Sequence, residues 1–219
     1  MNQQLPLRFR LENHTDLDDY VGFAADRLLQ LDGVVLLTGV RGTGKSHLLQ
    51  GLCHRSAADA EAAIFLPMLS SLEPAILKAL ESADLVCLDD IDRVLQDAAW
   101  QTALFHLVNA CRDHGTRLIM SCTDGIDALG IELQDLQSRL KAAYQVRTDV
   151  LSDAEKLEVI RRKAKRRGFE MPAEVCDFIL TRAERDMHHL ARLVDQLDHE
   201  TLRQQRKVTI PFVKRALGL

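Results

Sequence analysis

Val34-Val35-Leu36-Leu37-Thr38-Gly39-Val40-Arg41-Gly42-Thr43-Gly44-Lys45-Ser46 is the stretch on which the reading of this chain turns. Its first five residues are a short, apolar, β-branched run of the kind buried on both faces in a parallel sheet. The next eight spell GxxxxGK[ST], a phosphate-binding loop, set between a strand pattern and a helix pattern over Lys45–Arg55. Glycines at 39, 42 and 44 let successive backbone N–H groups turn inward around a phosphate. The helix that follows adds its positive N-terminal end. Lys45 neutralises β- and γ-phosphate oxygens, and Ser46 offers its hydroxyl to Mg²⁺. A merely structural glycine turn is the competing reading, and the complete string in this context argues against it.

Further strands are predicted at Ala63–Pro67, Leu85–Asp89, Arg117–Cys122 and Ala143–Arg147. Helices are predicted at Leu17–Leu31, Leu72–Ser82 and Ala98–His114, the last stopped by Gly115. Strands alternating with helices specify an α/β domain around a parallel sheet. The strand Leu85-Val86-Cys87-Leu88 runs into Asp89-Asp90, an acidic pair at a strand end. In a phosphate-loop protein Asp89 holds Mg²⁺ through water and Asp90 orients or polarises the attacking water; alone, the pair also reads as a helix cap. Cys87 reads as a buried strand residue. The strand ending Met120-Ser121-Cys122 is followed by Thr123 and Asp124, which read as a cap on a short helix or, by resemblance to P-loop ATPases of the AAA+ class, as a polar sensor of the γ-phosphate.

The character changes after Val150. Ser152-Asp153-Ala154-Glu155 is a capping box ahead of a long helix ending at Gly168. Pro172 opens a second helix, Asp186 caps a third, and Thr209 caps a fourth with Pro211 in its first turn. The only strand signal there is a faint one around Lys207–Thr209. The chain therefore divides into an extended tail over 1–11, an α/β base over 12–150 and an all-helical lid over 151–219. Charge follows that division: residues 151–219 carry 15 Lys+Arg against 11 Asp+Glu, and the rest carry 13 against 21. The total of −4 is not the strongly basic footprint of a dedicated DNA binder. With only 5% aromatic residues, stacking platforms for single strands are not expected either.

The chain has 219 residues, 47% hydrophobic and 27% charged, the make-up of an ordinary soluble protein. No apolar run approaches the ~20 residues of a membrane span, and Arg8 and Arg10 interrupt the N-terminal apolar residues, against a signal peptide. Five cysteines without a CxxC pair fit a reducing cytoplasm. The expectation is a cytoplasmic protein with no membrane association.

Three strand ends in this order, then Ser138-Arg139-Leu140, then a helical lid, resemble the AAA+ family. Within it, Gly42-Thr43-Gly44-Lys45-Ser46-His47-Leu48-Leu49, Leu88-Asp89-Asp90-Ile91 and Ser138-Arg139-Leu140 resemble the ATPase domain of DnaA, the bacterial replication initiator, over roughly residues 12–219. The lid segments Arg167–Pro172, Leu193–Asp198 and Gln205–Lys214 are similar to the Hda group of DnaA relatives, the regulatory inactivators. The resemblance implies a parallel five-stranded sheet of order 5-1-4-3-2 under a small all-α lid. It implies an ADP or ATP site with Mg²⁺, built from Gly39, Arg41, Gly42, Thr43, Gly44, Lys45, Ser46, His47, Asp89, Thr123 and Asp124. It also implies that Arg139 is an arginine finger, a permanently charged planar fork acting on the γ-phosphate of a neighbouring subunit. A surface arginine on a short helix is the alternative. In the third lid helix His188 stands where DnaA carries a sensor arginine, and this departure puts efficient self-hydrolysis in doubt. Arg192, one turn on, either compensates or faces solvent.

Gln4-Leu5-Pro6-Leu7-Arg8-Phe9 fits the QLxLxF-type peptide that docks on the sliding clamp of DNA polymerase III. Leu7 and Phe9 would enter an apolar pocket, Gln4 would anchor, and Pro6 would keep Leu5 and itself extended. Any apolar tail also passes so short a pattern. The basic run 161–167 reads as a solvated helix face or as a weak DNA contact. A chain ending at Leu219 leaves no space for a helix-turn-helix domain, so an initiator is not expected. The implied function is negative regulation of replication initiation: docking on the DNA-loaded clamp, touching DNA indirectly through it, and promoting hydrolysis of DnaA-bound ATP through Arg139 in trans. A homo-oligomer is compatible with this. The alternatives are an autonomous AAA+ ATPase and a DnaC-like helicase loader.

Overall fold

A computed structural model describes residues 15–182, 186–204 and 207–218. These divide into two compact units: residues 15–17 with 22–148, and residues 18–21 with 149–218.

The first unit is built on five parallel strands, β1 (Val34–Thr38), β2 (Ala63–Leu66), β3 (Leu85–Leu88), β4 (Arg117–Cys122) and β5 (Tyr144–Arg147), in the order β2-β3-β4-β1-β5. This is the expected order read from its other edge. β1 lies between β4 and β5, which explains why its residues Val34 to Leu37 are apolar without alternation: both faces are covered. Register sets Thr38 beside Cys122 and Arg147, and Leu88 beside Met120. The residues just past these strand ends therefore share one edge of the sheet, where open α/β sheets place their ligands.

The helices of this unit are α1 (Ala24–Leu29), α2 (Lys45–Ala58), α3 (Ala98–His114) and α4 (Gln134–Lys141). Asp97 caps α3 by accepting from Ala99 N at 2.7 Å, and Gly115 ends it in the left-handed conformation. Its inner stripe of Trp100, Leu104, Leu107, Val108 and Cys111 is buried with Leu36, Val86, Leu88, Leu118 and Met120 of the sheet. Each such large side chain contributes about 1.5–3 kcal/mol on burial.

Two expected helices take another form. Over 17–31, a 3₁₀ turn at Leu17–Asp19 is separated from the six-residue α1 by Gly22 at φ 127°. Leu17 instead lies close over Gly51 of α2, where a Cβ would stand 3.0 Å from the Leu17 nitrogen. Over 72–82 the chain makes 3₁₀ turns at Pro74–Leu77 and Leu80–Ser82, after another at Leu69–Ser71. Pro74 starts one turn, and Ala79 at φ 63° prevents its continuation into the next. Leu77 and Leu80, three apart, are delivered to the core all the same.

The second unit packs α5 (Asp153–Arg166), α6 (Ala173–Arg182), α7 (Met187–Gln204) and α8 (Ile210–Leu217) around Ile160, Val175, Ile179, Leu190, Val194, Leu197 and Val213. The capping box is present: Ser152 Oγ accepts from Glu155 N at 3.3 Å, and Glu155 accepts from Ser152 N at 2.7 Å. Asp186 accepts from His189 N at 3.1 Å, and Thr209 from Phe212 N at 3.4 Å. Residues 207–209 lead into that last cap and form no strand.

The basic run is tied down by ion pairs within this unit. Lys163 pairs with Asp195 at 3.0 Å, Arg167 with Asp195 and Asp198 at 2.5 and 3.6 Å, Arg166 with Asp19 at 3.3 Å, and Arg162 with Glu158 at 2.8 Å. Lys163 and Arg167 thus join α5 to α7, and their charge serves the lid's own packing.

Candidate functional site

Gly39 follows β1 directly and is held by its N–H to Cys122 O at 3.3 Å. A Cβ at this position would overlap Thr148 Oγ1 and stand 2.8 Å from the Thr148 carbonyl oxygen, so no side chain fits. Gly42 and Gly44 have φ of 87° and 88°, the left-handed region that favours glycine. Gly44 is the N-cap of α2, and no side chain caps that helix. Its first-turn N–H groups therefore face the loop interior without an intrahelical acceptor.

Lys45 is only 6% exposed, and its Nζ donates to Gly39 O at 2.5 Å and Val40 O at 3.3 Å. Among the described residues only carbonyls hydrogen-bond this ammonium, and no carboxylate stands in ion-pair contact with it, so its burial is incompletely compensated. A buried cation, a helix start that no side chain caps and a floor open only to glycine make a donor set that fits the phosphates of a nucleotide. Ser46 and Arg41 are exposed. His47 Nε2 bonds with Asp16 O at 2.8 Å, joining α2 to the segment at 15–17.

Asp89, at the end of β3, is buried, and its Oδ1 accepts from Ser121 Oγ at 2.5 Å. Ser121 Oγ in turn accepts from Asp90 N at 2.9 Å. One buried hydroxyl on β4 thereby sets both acidic residues. Thr123 is half-buried and Asp124 exposed, and neither caps the next turn, whose N-cap is Gly125 without a side-chain bond. Cys87 is buried in the strand, and desolvation holds its thiol well above the ordinary range.

Asp90 sits at φ 53° and pairs with Arg93 at 3.1 Å. Desolvation, together with the Asp89 and Asp92 carboxylates, pushes its carboxyl up from the ordinary value, against the pull of Arg93 and Lys45. A carboxyl whose folded pKa lies above its unfolded value costs stability when ionised. That cost grows as pH rises from the unfolded value through the folded one, and vanishes below both. Asp90→Asn is therefore expected to raise the melting temperature at neutral pH, since asparagine also tolerates the left-handed backbone. The gain should disappear in acid. Equal melting temperatures at neutral pH would remove the reading of Asp90 as a strained carboxylate.

Arg139 lies on α4, exposed, and among the described residues no carboxylate pairs with it. Leu136 and Leu140 of the same helix are fully buried, which fixes the face that Arg139 presents. Gln101 of α3 secures the start of α4. Its Oε1 accepts from Glu132 N at 3.1 Å and Leu133 N at 2.8 Å, and its Nε2 donates to Leu95 O at 2.7 Å. Lys141 pairs with Asp127 at 2.6 Å at the other end.

In the helical unit Arg192 is exposed on α7. His188 belongs to the same helix, and its side chain lies outside the described residues. So does the tail carrying Gln4, Leu5, Leu7 and Phe9. Three residues of the site carry no mark in the sequence reading: Ser121, Gln101 and Thr148. Only Ser121 had a signal, a hydroxyl in an otherwise apolar strand.

A family model described as the bacterial DnaA ATPase domain matches residues 30–150, and one described as the Hda lid domain matches residues 153–217. An uncharacterized protein of Haemophilus influenzae is 35% identical over 233 residues, covering 100% of both chains. Domain III of the Thermotoga maritima replication initiation protein DnaA superposes with a TM-score of 0.77 at 19% identity, covering 95% of this chain and 98% of that one. AMPPCP-bound DnaA from Aquifex aeolicus gives 0.66 at 20% identity, with 89% and 69% covered. The Thermotoga maritima RuvB Holliday junction branch migration motor gives 0.67 at 17% identity, with 95% and 73% covered. At these identities the solved structures establish the fold.

Proposed function

We propose, for a chain that belongs to the DnaA-type AAA+ family by its ATPase base and its Hda-type lid, that it is a negative regulator of replication initiation. It binds an adenine nucleotide, docks on the DNA-loaded sliding clamp through its N-terminal peptide, and promotes hydrolysis of ATP held by DnaA. The observation that carries this reading is the junction of a DnaA-type base with an Hda-type lid in one chain. The test is single-turnover hydrolysis of ATP preloaded on DnaA, with clamp-loaded DNA present. Acceleration on adding this protein is expected, and its absence overturns the reading.

Lys45 and the N–H groups of Gly42, Thr43, Gly44 and Ser46 would hold the phosphates of ADP or ATP, with Gly39, Arg41 and His47 shaping the loop around them. Ser46 and Asp89 would hold Mg²⁺, which when bound supplies positive charge to the phosphate oxygens. Ser121 keeps Asp89 oriented toward that task through the 2.5 Å bond. Asp90 would orient water. Thr123 and Asp124, past the end of β4, would sense the γ-phosphate, and His188 and Arg192 of α7 are the positions at which a lid sensor would stand. Arg139 acts elsewhere: exposed and held by a buried helix face, it is suited to enter a neighbour's site. No helix of the described residues is long and apolar enough to cross a membrane, and the proposed setting is the cytoplasm.

Docking through the tail has its own test. Leu7→Ala with Phe9→Ala should abolish capture by the clamp while leaving nucleotide binding intact, because two apolar anchors carry most of such a contact. Co-elution of the double variant with the clamp at wild-type strength would exclude the peptide as the docking element.

The second reading, an autonomous ATPase, draws on the ordered Asp89–Ser121–Asp90 bonds. Steady-state turnover by the purified protein alone would favour it. Capture by the replicative helicase would favour a helicase loader.

A further inference from the structure

We infer that Thr148 is a positioning residue for the phosphate loop, acting through the hydroxyl of Thr43. The inference rests on the nucleotide reading of that loop. Thr148 is 2% exposed and Thr43 3%, so their bonds are made without competition from water. Their hydroxyl oxygens stand 2.6 Å apart. Thr43 Oγ1 also reaches Val40 O at 2.8 Å, and Thr148 Oγ1 reaches Thr38 O at 3.2 Å.

Each hydroxyl has a single hydrogen to donate. Two hydrogens must therefore serve three contacts. Donation by both hydroxyls to carbonyls would leave two oxygens 2.6 Å apart with no hydrogen between them, which repulsion excludes. So either Thr43 donates to Val40 O and Thr148 to Thr43, or Thr148 donates to Thr38 O and Thr43 to Thr148. The Thr43–Thr148 bond is made in both arrangements. It is the constant member of the network, and it ties the middle of the loop to the residue after β5. The backbone of Thr148 is fixed independently, its N–H donating to Thr38 O at 2.8 Å. Its side chain also fills the space beside Gly39 that a Cβ would need. Thr148 thus braces the loop from the sheet edge opposite Asp89 and Ser121, across β1.

A loop held by this bond presents its N–H groups already converged, and a loop without it must be ordered by the ligand at the expense of affinity. Thr148→Val removes the hydroxyl and keeps the branched shape, whereas Thr148→Ser keeps the hydroxyl. Titration of the full chain with ADP and Mg²⁺ by calorimetry is expected to show valine weakening binding roughly two- to twelvefold, the range for the net contribution of one hydrogen bond. Serine should stay close to wild type. Thr43→Val should match Thr148→Val, and the double variant should lose no more than the weaker single one, because both remove one bond.

Wild-type affinity in Thr148→Val would overturn the inference, as would serine behaving like valine, or losses that add. If valine at 148 prevents folding, Thr43→Val and Thr148→Ser carry the comparison. Failure of the wild type itself to bind ADP would instead overturn the nucleotide reading. Amide exchange of residues 40–46 without nucleotide would still decide the brace: faster exchange in Thr148→Val supports it, and unchanged exchange sinks it.

Discussion

Arg139→Ala is expected to retain nucleotide binding and clamp capture yet lose the acceleration of ATP hydrolysis on DnaA by ~10³–10⁵-fold, the range for arginine fingers in related phosphoryl transfers. The expectation follows from where the residue stands. Arg139 is exposed on a helix whose Leu136 and Leu140 are fully buried, so truncating it removes a presented charge and leaves the packing untouched. Lysine should rescue poorly, because a point charge lacks the planar fork that meets two phosphate oxygens at once. The readout is single-turnover hydrolysis of ATP preloaded on DnaA, with clamp and DNA present. An alanine variant as active as wild type would sink the trans mechanism and leave the autonomous ATPase as the better account.

The second large effect belongs to Lys45. Replacing it with alanine should weaken ADP binding by about 2–5 kcal/mol, the cost of truncating one partner of a desolvated charge pair. The fold itself should be unharmed. Among the described residues Lys45 Nζ bonds the Gly39 and Val40 carbonyls and makes no ion-pair contact, so its truncation breaks no salt bridge of the fold. Thermal unfolding separates the two effects. Ligand at a thousand times its dissociation constant stabilises the wild type by about 4.1 kcal/mol. The variant should melt no lower than wild type without ADP and gain much less from adding it. An undiminished ADP-induced shift would count against the phosphate-loop assignment.

What was legible in the sequence follows from the range over which each residue acts. Val34–Ser46 could be read directly because strand, loop and helix are consecutive and each has a local signature. Asp89 and Asp90 were legible as a strand end, and the lid caps at Ser152, Asp186 and Thr209 as short-range patterns. The segment 72–82 has the apolar spacing of a helix, but Pro74 and the left-handed Ala79 divide it into 3₁₀ turns. Leu17–Leu31 also looked continuous, and Gly22 at φ 127° interrupts it.

Ser121 and Thr148 escaped for a different reason. Their partners lie 32 and 105 residues away, and only the sheet order and register bring them together. Gln101 reaches Leu133 across 32 residues in the same way. A polar residue near the start of a helix carries no mark of such a task. The ion pairs that engage Lys163 and Arg167 of the basic run were equally hidden, since Asp195 and Asp198 belong to another helix.

The amide of Gln101 has one more consequence. It grips the start of α4 with uncharged hydrogen bonds, and two buried leucines hold the rest of the helix. The Lys141–Asp127 pair at the far end is solvent-exposed and adds little. Neither a neutral amide nor an apolar contact is weakened by counterions as an exposed ion pair is. The orientation of Arg139 is therefore insulated from ionic strength, and added salt acts on the encounter with a partner instead. A salt series on the stimulated reaction thus measures how two molecules find each other, with the helix that carries the guanidinium as its fixed reference.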